Sequence, residues 1–165
     1  MTFADLARGA AVFVDANIFV FHFQPHPVFG SSCTDLLNRI ERGEVIAYTS
    51  THVLSEVAHR LMTLEASVLF HWPSKVVQRL KRNPTNLQQL SQFRSALRTV
   101  SQIGFQILTI PPVSIDTAAS ISQQHGLLSN DALLVAVMQA NGLSHLASND
   151  ADFDRVPGLV RYAPV

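Results

Sequence analysis

Short apolar runs alternate with helical stretches along the whole chain, and this alternation limits the possible folds more than any other feature. The runs 10–14, 45–48, 105–110, 143–147 and 159–162 are each four to six residues long and read as strands. The run 10–14, apolar throughout and β-branched in part, reads as a buried parallel strand that needs helices to cover it. Helical segments lie between the runs. One runs from Asn17 to a loop at 22–29 that Pro25 and Pro27 break, and another spans 31–42 and is closed by Gly43. A third follows the capping residues Thr49, Ser50 and Thr51, with Val53, Leu54, Val57, Ala58 and Leu61 as its core face. A fourth runs from Ile115 to Gly126, and a fifth over 131–141, capped by Ser129 or Asn130 and followed by Gly142. The pattern predicts an α/β fold with a central parallel sheet of four to five strands. The stretch 70–101 has no strand signal. Pro73 and Pro84 each open a helix there, so we expect a helical hairpin added to the sheet.

Composition supports a single domain over 1–165. At 165 residues and 47% apolar content the chain is long enough for a sizeable core, and its 15% charged residues argue against disorder. The single Cys33 excludes an intramolecular disulfide and a cysteine-based zinc site. No apolar stretch is long enough to span a bilayer, and Asp5 and Arg8 interrupt the N-terminal apolar residues. We expect a soluble protein of the reducing cytoplasm. With zero formal net charge, any nucleic-acid contact has to rest on a local basic patch.

Acids are scarce, with 12 Asp plus Glu, and four of them fall at telling places. Asp15 ends the first strand, and Asp150 follows the fourth by three residues. Asp131 opens a nearly all-apolar helix, and Glu56 lies on a polar helix face with His52, His59, Arg60 and Thr63. Ligand sites of parallel sheets lie beyond the carboxyl ends of the strands, so these acids can converge although they are far apart in sequence. An all-oxygen donor set suits Mg²⁺ or Mn²⁺. Simpler roles stand beside this. Asp131 and Asp150 are also good helix caps, and Glu56 can pair with Arg60 one turn on, a contact of roughly 0.3–0.5 kcal/mol. Asp15, directly after a buried strand with Asn17 close by, is the least easily explained away.

Four segments in order resemble the motifs of PIN-domain nucleases. They are Phe13-Val14-Asp15-Ala16-Asn17, Ser55-Glu56-Val57, Gly126-Leu127-Leu128-Ser129-Asn130-Asp131, and Leu146-Ala147-Ser148-Asn149-Asp150-Ala151-Asp152-Phe153. The likeness spans nearly the whole chain and is greatest to the small VapC-type toxin ribonucleases of toxin–antitoxin pairs. It implies a PIN-like three-layer α/β/α fold and metal-dependent hydrolysis of RNA phosphodiester bonds. Asp15, Glu56, Asp131 and Asp150 would hold Mg²⁺ or Mn²⁺, and Asn17 and Ser148 would orient them, with Asp152 assisting Asp150 or merely solvated. A protein antitoxin and a homodimer are the implied partners. Open alternatives are an RNA-processing or quality-control nuclease without a toxin role, a PIN-like scaffold that binds without cutting, and another α/β phosphohydrolase.

Lys75, Arg79, Lys81 and Arg82 concentrate four of the twelve cations in one segment. Lys75, Arg79 and Arg82 form a candidate RNA-backbone patch, with a solvated helix face as the equal alternative. The seven histidines form no metal motif; His22, His26, His52 and His59 read as surface residues near the acids, and Phe70, His71 and Trp72 as packing residues that can also stack a base. Cys33 is given no chemistry.

Overall fold

The computed structural model describes all 165 residues. Five parallel strands form one sheet: β1 (Ala11–Val14), β2 (Ile46–Ser50), β3 (Gln106–Leu108), β4 (His145–Ala147) and β5 (Val160–Tyr162), in the order β3-β2-β1-β4-β5. All five runs predicted as strands are strands. The order reverses between β1 and β4, where Phe13 lies opposite Leu146 and Val14 opposite Ala147. A gap opens beyond the carboxyl ends of two strands at such a switch, because their connections leave in opposite directions.

The helices are α1 (Ala16–Phe23), α2 (Gly30–Glu41), α3 (Thr51–Leu69), α4 (Val76–Arg82), α5 (Pro84–Gln88), α6 (Gln92–Ile103), α7 (Val113–His125) and α8 (Ser129–Ala140). Packing runs from α2 to α1, α1 to α3 and α3 to α6 in one layer, while α7 and α8 pack on each other in the second. This is the three-layer α/β/α arrangement. Val12, Phe13 and Val14 of β1, Ile18 and Phe19 of α1, Val53 and Val57 of α3, and Leu146 of β4 are fully buried between the layers. Helix α8 is buried along Ala132–Met138, which explains its almost unbroken apolar sequence.

The stretch 70–101 is helical but is not a hairpin. Helix α3 continues to Leu69, and three helices follow. Pro73 lies in a loop where His71 and Lys75 take left-handed backbone, so α4 starts at Val76. Pro84 opens the short α5. The break before α6 comes from α3: the buried Glu65 carboxylate accepts the backbone N–H groups of Ser91, Gln92 and Phe93 at 2.8–3.3 Å and so fixes a new helix start. These helices share a small core of Ala66, Val76, Leu80 and Leu90, backed by Met62, Phe70, Trp72 and Phe93. No helix is long and apolar enough to cross a membrane.

Candidate active site

The carboxyl ends of β1 and β4 build the site outward from the switch point. The Asp15 N–H donates to the Ala147 carbonyl at 3.1 Å, extending the strand ladder by one residue before α1 begins. Asp15 is the N-cap of α1, its Oδ1 accepting the Ala16 N–H at 2.6 Å. Its Oδ2 accepts from Asn17 Nδ2 and from the Ser148 hydroxyl, the latter at 2.8 Å. Asn17 also donates to Ser148 Oγ at 3.0 Å and accepts the Asn149 N–H at 3.1 Å. Ser148, fully buried, accepts the Asp150 N–H at 3.0 Å as well. One hydroxyl therefore ties Asp15, Asn17 and Asp150 together across 133 positions of sequence. The linkage holds the Asp15 carboxylate and the backbone at Asp150 in place.

Glu56, Asp131 and Asp150 line one open cavity of about 460 Å³, with Leu128, Ser129 and Asn130. Asp15 is not part of that lining, yet the charges of Glu56 and Asp131 reach it. Burial, and then those two charges, push its carboxyl up to about 6 against the hydrogen bonds from Ser148 and Ala16. Asp131 is also pushed up to about 6, by burial first and then by Asp150, Glu56 and Asp152. No hydrogen bond offsets this rise, although Asp131 sits in the first turn of α8. The helix begins at Ser129, with Leu128 in the cap position and no side-chain cap, so neither Ser129 nor Asn130 caps it as the sequence predicted.

The simpler roles are present too. Asp150 caps the 3-10 turn Ala151–Arg155, its Oδ1 taking the Asp152 N–H at 2.9 Å. The Asp152 carboxylate is held by Arg155 at 2.7 Å, and Arg155 reaches the Gly126 carbonyl at 3.1 Å. That contact ties the turn after β4 to the loop before α8. Glu56 pairs with Arg60 at 3.6 Å. Arg161 donates to the Ser148 carbonyl at 3.3 Å while gripping Asp154. Sequence reasoning passed over Arg155, Arg161 and Glu65. Only Glu65 had a signal, being an acid on the apolar face of a helix.

The basic patch stands apart. Lys75, Arg79 and Arg82 belong to the segment that packs on the far half of α3, and Ala66 is ten residues beyond Glu56, ~15 Å along the axis. Lys75 caps α4 rather than lying on its helical face, and Arg79 covers the Trp72 ring at 5.4 Å. Among the histidines, His22 bonds to Thr34 at 2.8 Å, and His26 stacks on Phe29 and accepts its N–H. Both serve the loop. His52 keeps a buried Nε2 without a partner.

No three Asp, Glu, His or Cys side chains are grouped closely enough to form a ready coordination set. The donor chemistry nevertheless fits a hard divalent cation. All four acids offer oxygen only, and Asp15 and Asp131 hold protons above the ordinary range, by burial first and then by the charges of neighbouring acids.

The PIN domain family model matches residues 12–159, and the chain belongs to that family. Among solved structures, the fold is similar to VapBC2 from Rickettsia felis bound to a DNA fragment from its promoter, with a TM-score of 0.60, 18% identity, and coverage of 94% of this chain and 99% of that one. VapC20 from Mycobacterium tuberculosis, a Sarcin-Ricin loop cleaving toxin, gives a TM-score of 0.61 at 16% identity over 87% and 92% of the two chains. A toxin–antitoxin complex from Klebsiella pneumoniae gives 0.56 at 17% identity over 90% and 95%. At these identities the likeness is one of fold. Comparison of the sequence with curated proteins returns no match.

Proposed function

We propose that this chain is a divalent-metal-dependent endoribonuclease and the toxin half of a toxin–antitoxin pair, acting in the cytoplasm. The observation that carries the reading is the gathering of Glu56, Asp131 and Asp150 on one cavity, with Asp15 at the switch point raised by burial first and then by the charges of Glu56 and Asp131. Asp15, Glu56, Asp131 and Asp150 would hold Mg²⁺ or Mn²⁺. Such an ion, when bound, polarises a phosphoryl oxygen and acidifies a water molecule, so the protein supplies no nucleophile of its own. The chain's own contribution is orientation. Ser148 and Asn17 hold Asp15 against β1, and Ser148 and the Asp152 N–H hold Asp150. Asp131, raised to about 6, keeps a proton on its carboxyl under mildly acidic conditions and releases it near neutrality.

The structural relatives that are toxin–antitoxin complexes support a protein antitoxin as partner, and a homodimer is part of the same proposal. The test is incubation of the protein and its Asp15→Asn variant with total cellular RNA, with Mg²⁺, with Mn²⁺ and with EDTA. Cleavage that needs both the ion and Asp15 supports the reading; cleavage by the variant at the wild-type rate ends it. One observation favours a second reading, a PIN scaffold that binds without cutting: the four carboxylates are not drawn into a coordination set. On that reading calorimetry finds no Mg²⁺ or Mn²⁺ binding.

A further inference from the structure

The charges of this chain are segregated. Between Ala66 and Ile115 lie Lys75, Arg79, Lys81, Arg82, Arg94 and Arg98, and no Asp or Glu at all. The rest of the chain holds the other six cations and all twelve acids, so the zero net charge hides a body of −6 and a segment of +6. All six cations of the segment are exposed, and none forms an ion pair. Of the six cations elsewhere, Arg8, Arg39, Arg60, Arg155 and Arg161 are paired with acids and only Arg42 is not. The apolar residues of α4 turn inward on the small core of Ala66, Val76, Leu80 and Leu90, and Ala96, Val100 and Ile103 of α6 turn onto the main core, which leaves the cations outside. From Phe70 to Phe105, Leu87 is the one large apolar residue that is exposed.

We propose that the α4–α6 lobe is a docking surface for the phosphate backbone of RNA, separate from the acidic cavity. This rests on the nuclease reading and deepens it. Without a bound cation the carboxylates that line the cavity repel phosphate, so metal-free affinity for a polyanion has to come from another surface. A lobe of one sign suits a phosphate backbone; an acidic protein segment would also bring an apolar face, and the nearest exposed apolar residues, Leu64, Val68 and Leu69, lie on α3 rather than between the lobe's cations. Arg79 over Trp72 adds a flat cation–aromatic pair on which a base can stack. The lobe meets α3 ~15 Å from Glu56. The substrate class is therefore an RNA long enough to touch both places, not a mono- or dinucleotide.

The experiment measures binding of a labelled 30-nucleotide RNA and a trinucleotide by anisotropy across salt concentrations in EDTA, for wild type and for the Arg94→Gln/Arg98→Gln and Lys81→Gln/Arg82→Gln variants. Circular dichroism confirms folding, and a poly-glutamate peptide serves as competitor. Each double variant should weaken binding of the long RNA by about tenfold at low salt and flatten the log K against log salt slope by about 1.4. Trinucleotide binding should not change. Unchanged affinity and slope in both folded variants, or no RNA binding by wild type, overturns the proposal. Equal displacement by poly-glutamate at matched charge overturns it in favour of an acidic protein partner. Because binding is read without metal, a wild-type protein that binds but never cuts fails the nuclease reading alone, and variants that cut long RNA as before fail this one alone.

Discussion

Ser148 is a small residue with a large share of the site's order. Its hydroxyl donates to Asp15 and accepts from Asn17 and from the Asp150 backbone, so two elements 133 residues apart are held in one geometry by one oxygen. Replacing Ser148 by Ala should cost about 1 kcal/mol of stability, a typical price for a buried hydrogen bond. RNA cleavage should fall further, by roughly 10–100-fold, as is usual when the partners of metal-holding carboxylates are lost. Thermal melting and cleavage rates on the same preparation separate the two effects; equal losses in both would make Ser148 a purely structural residue. The places of Asp15, Asn17, Ser148 and Asp150 were legible in the sequence because strand ends can be read from apolar runs, and parallel strands put their carboxyl ends on one edge. Arg155 and Arg161 were not legible. A cation that bonds to a carbonyl looks, in sequence, like any solvated one, and its partners Gly126 and Ser148 are set only by the folded chain.

At the scale of elements, Glu65 shows how a side chain on one helix decides where another begins. It is 6% exposed, and its carboxylate satisfies three N–H groups at the start of α6 that have no partner within the helix. Glu65→Ala should cost about 2–3 kcal/mol, the range for hydrogen bonds to a charged acceptor, and lower the melting temperature by several degrees. Hydrogen exchange at Ser91, Gln92 and Phe93 should rise with it; protection that persists at all three would refute the capping role. This contact also explains why the five strands were predicted and the course of 70–101 was not. Strands carry their signal locally, as short apolar runs. The division between α5 and α6 depends on an acceptor more than twenty residues away, and local propensity alone would have run one helix through it.

For the molecule as a whole, the two raised carboxyls link stability to pH and, on the proposed function, to metal binding. Asp15 and Asp131 titrate at about 6 in the fold, against 3.8 for a free side chain. Between about pH 4 and 6 the native state therefore holds protons that the unfolded chain has released. Stability of the metal-free protein should fall as pH rises through that window and level off above it. Mg²⁺ or Mn²⁺ at pH 7 should raise the melting temperature, since it binds the native state only. Asp131→Asn should melt higher than wild type at pH 7 without metal, show a shallower pH dependence, and gain little from the ion. Melting curves at pH 4.5 and 7, with and without metal, check all three; a variant that is less stable than wild type at pH 7 would show that Asp131 is not under repulsion.

The pairing of β1 with β4 has a consequence for the order of synthesis. Asp15 and Glu56 leave the ribosome well before Ser148 and Asp150, Asp131 shortly before them, and the switch point exists only once β4 has joined β1. A nascent chain that stops short of β4 has three of the four acids but no edge to hold them on. On the toxin reading, a translating ribosome is thus not exposed to an armed nuclease until the last tenth of the chain has been made, and an aborted product is harmless.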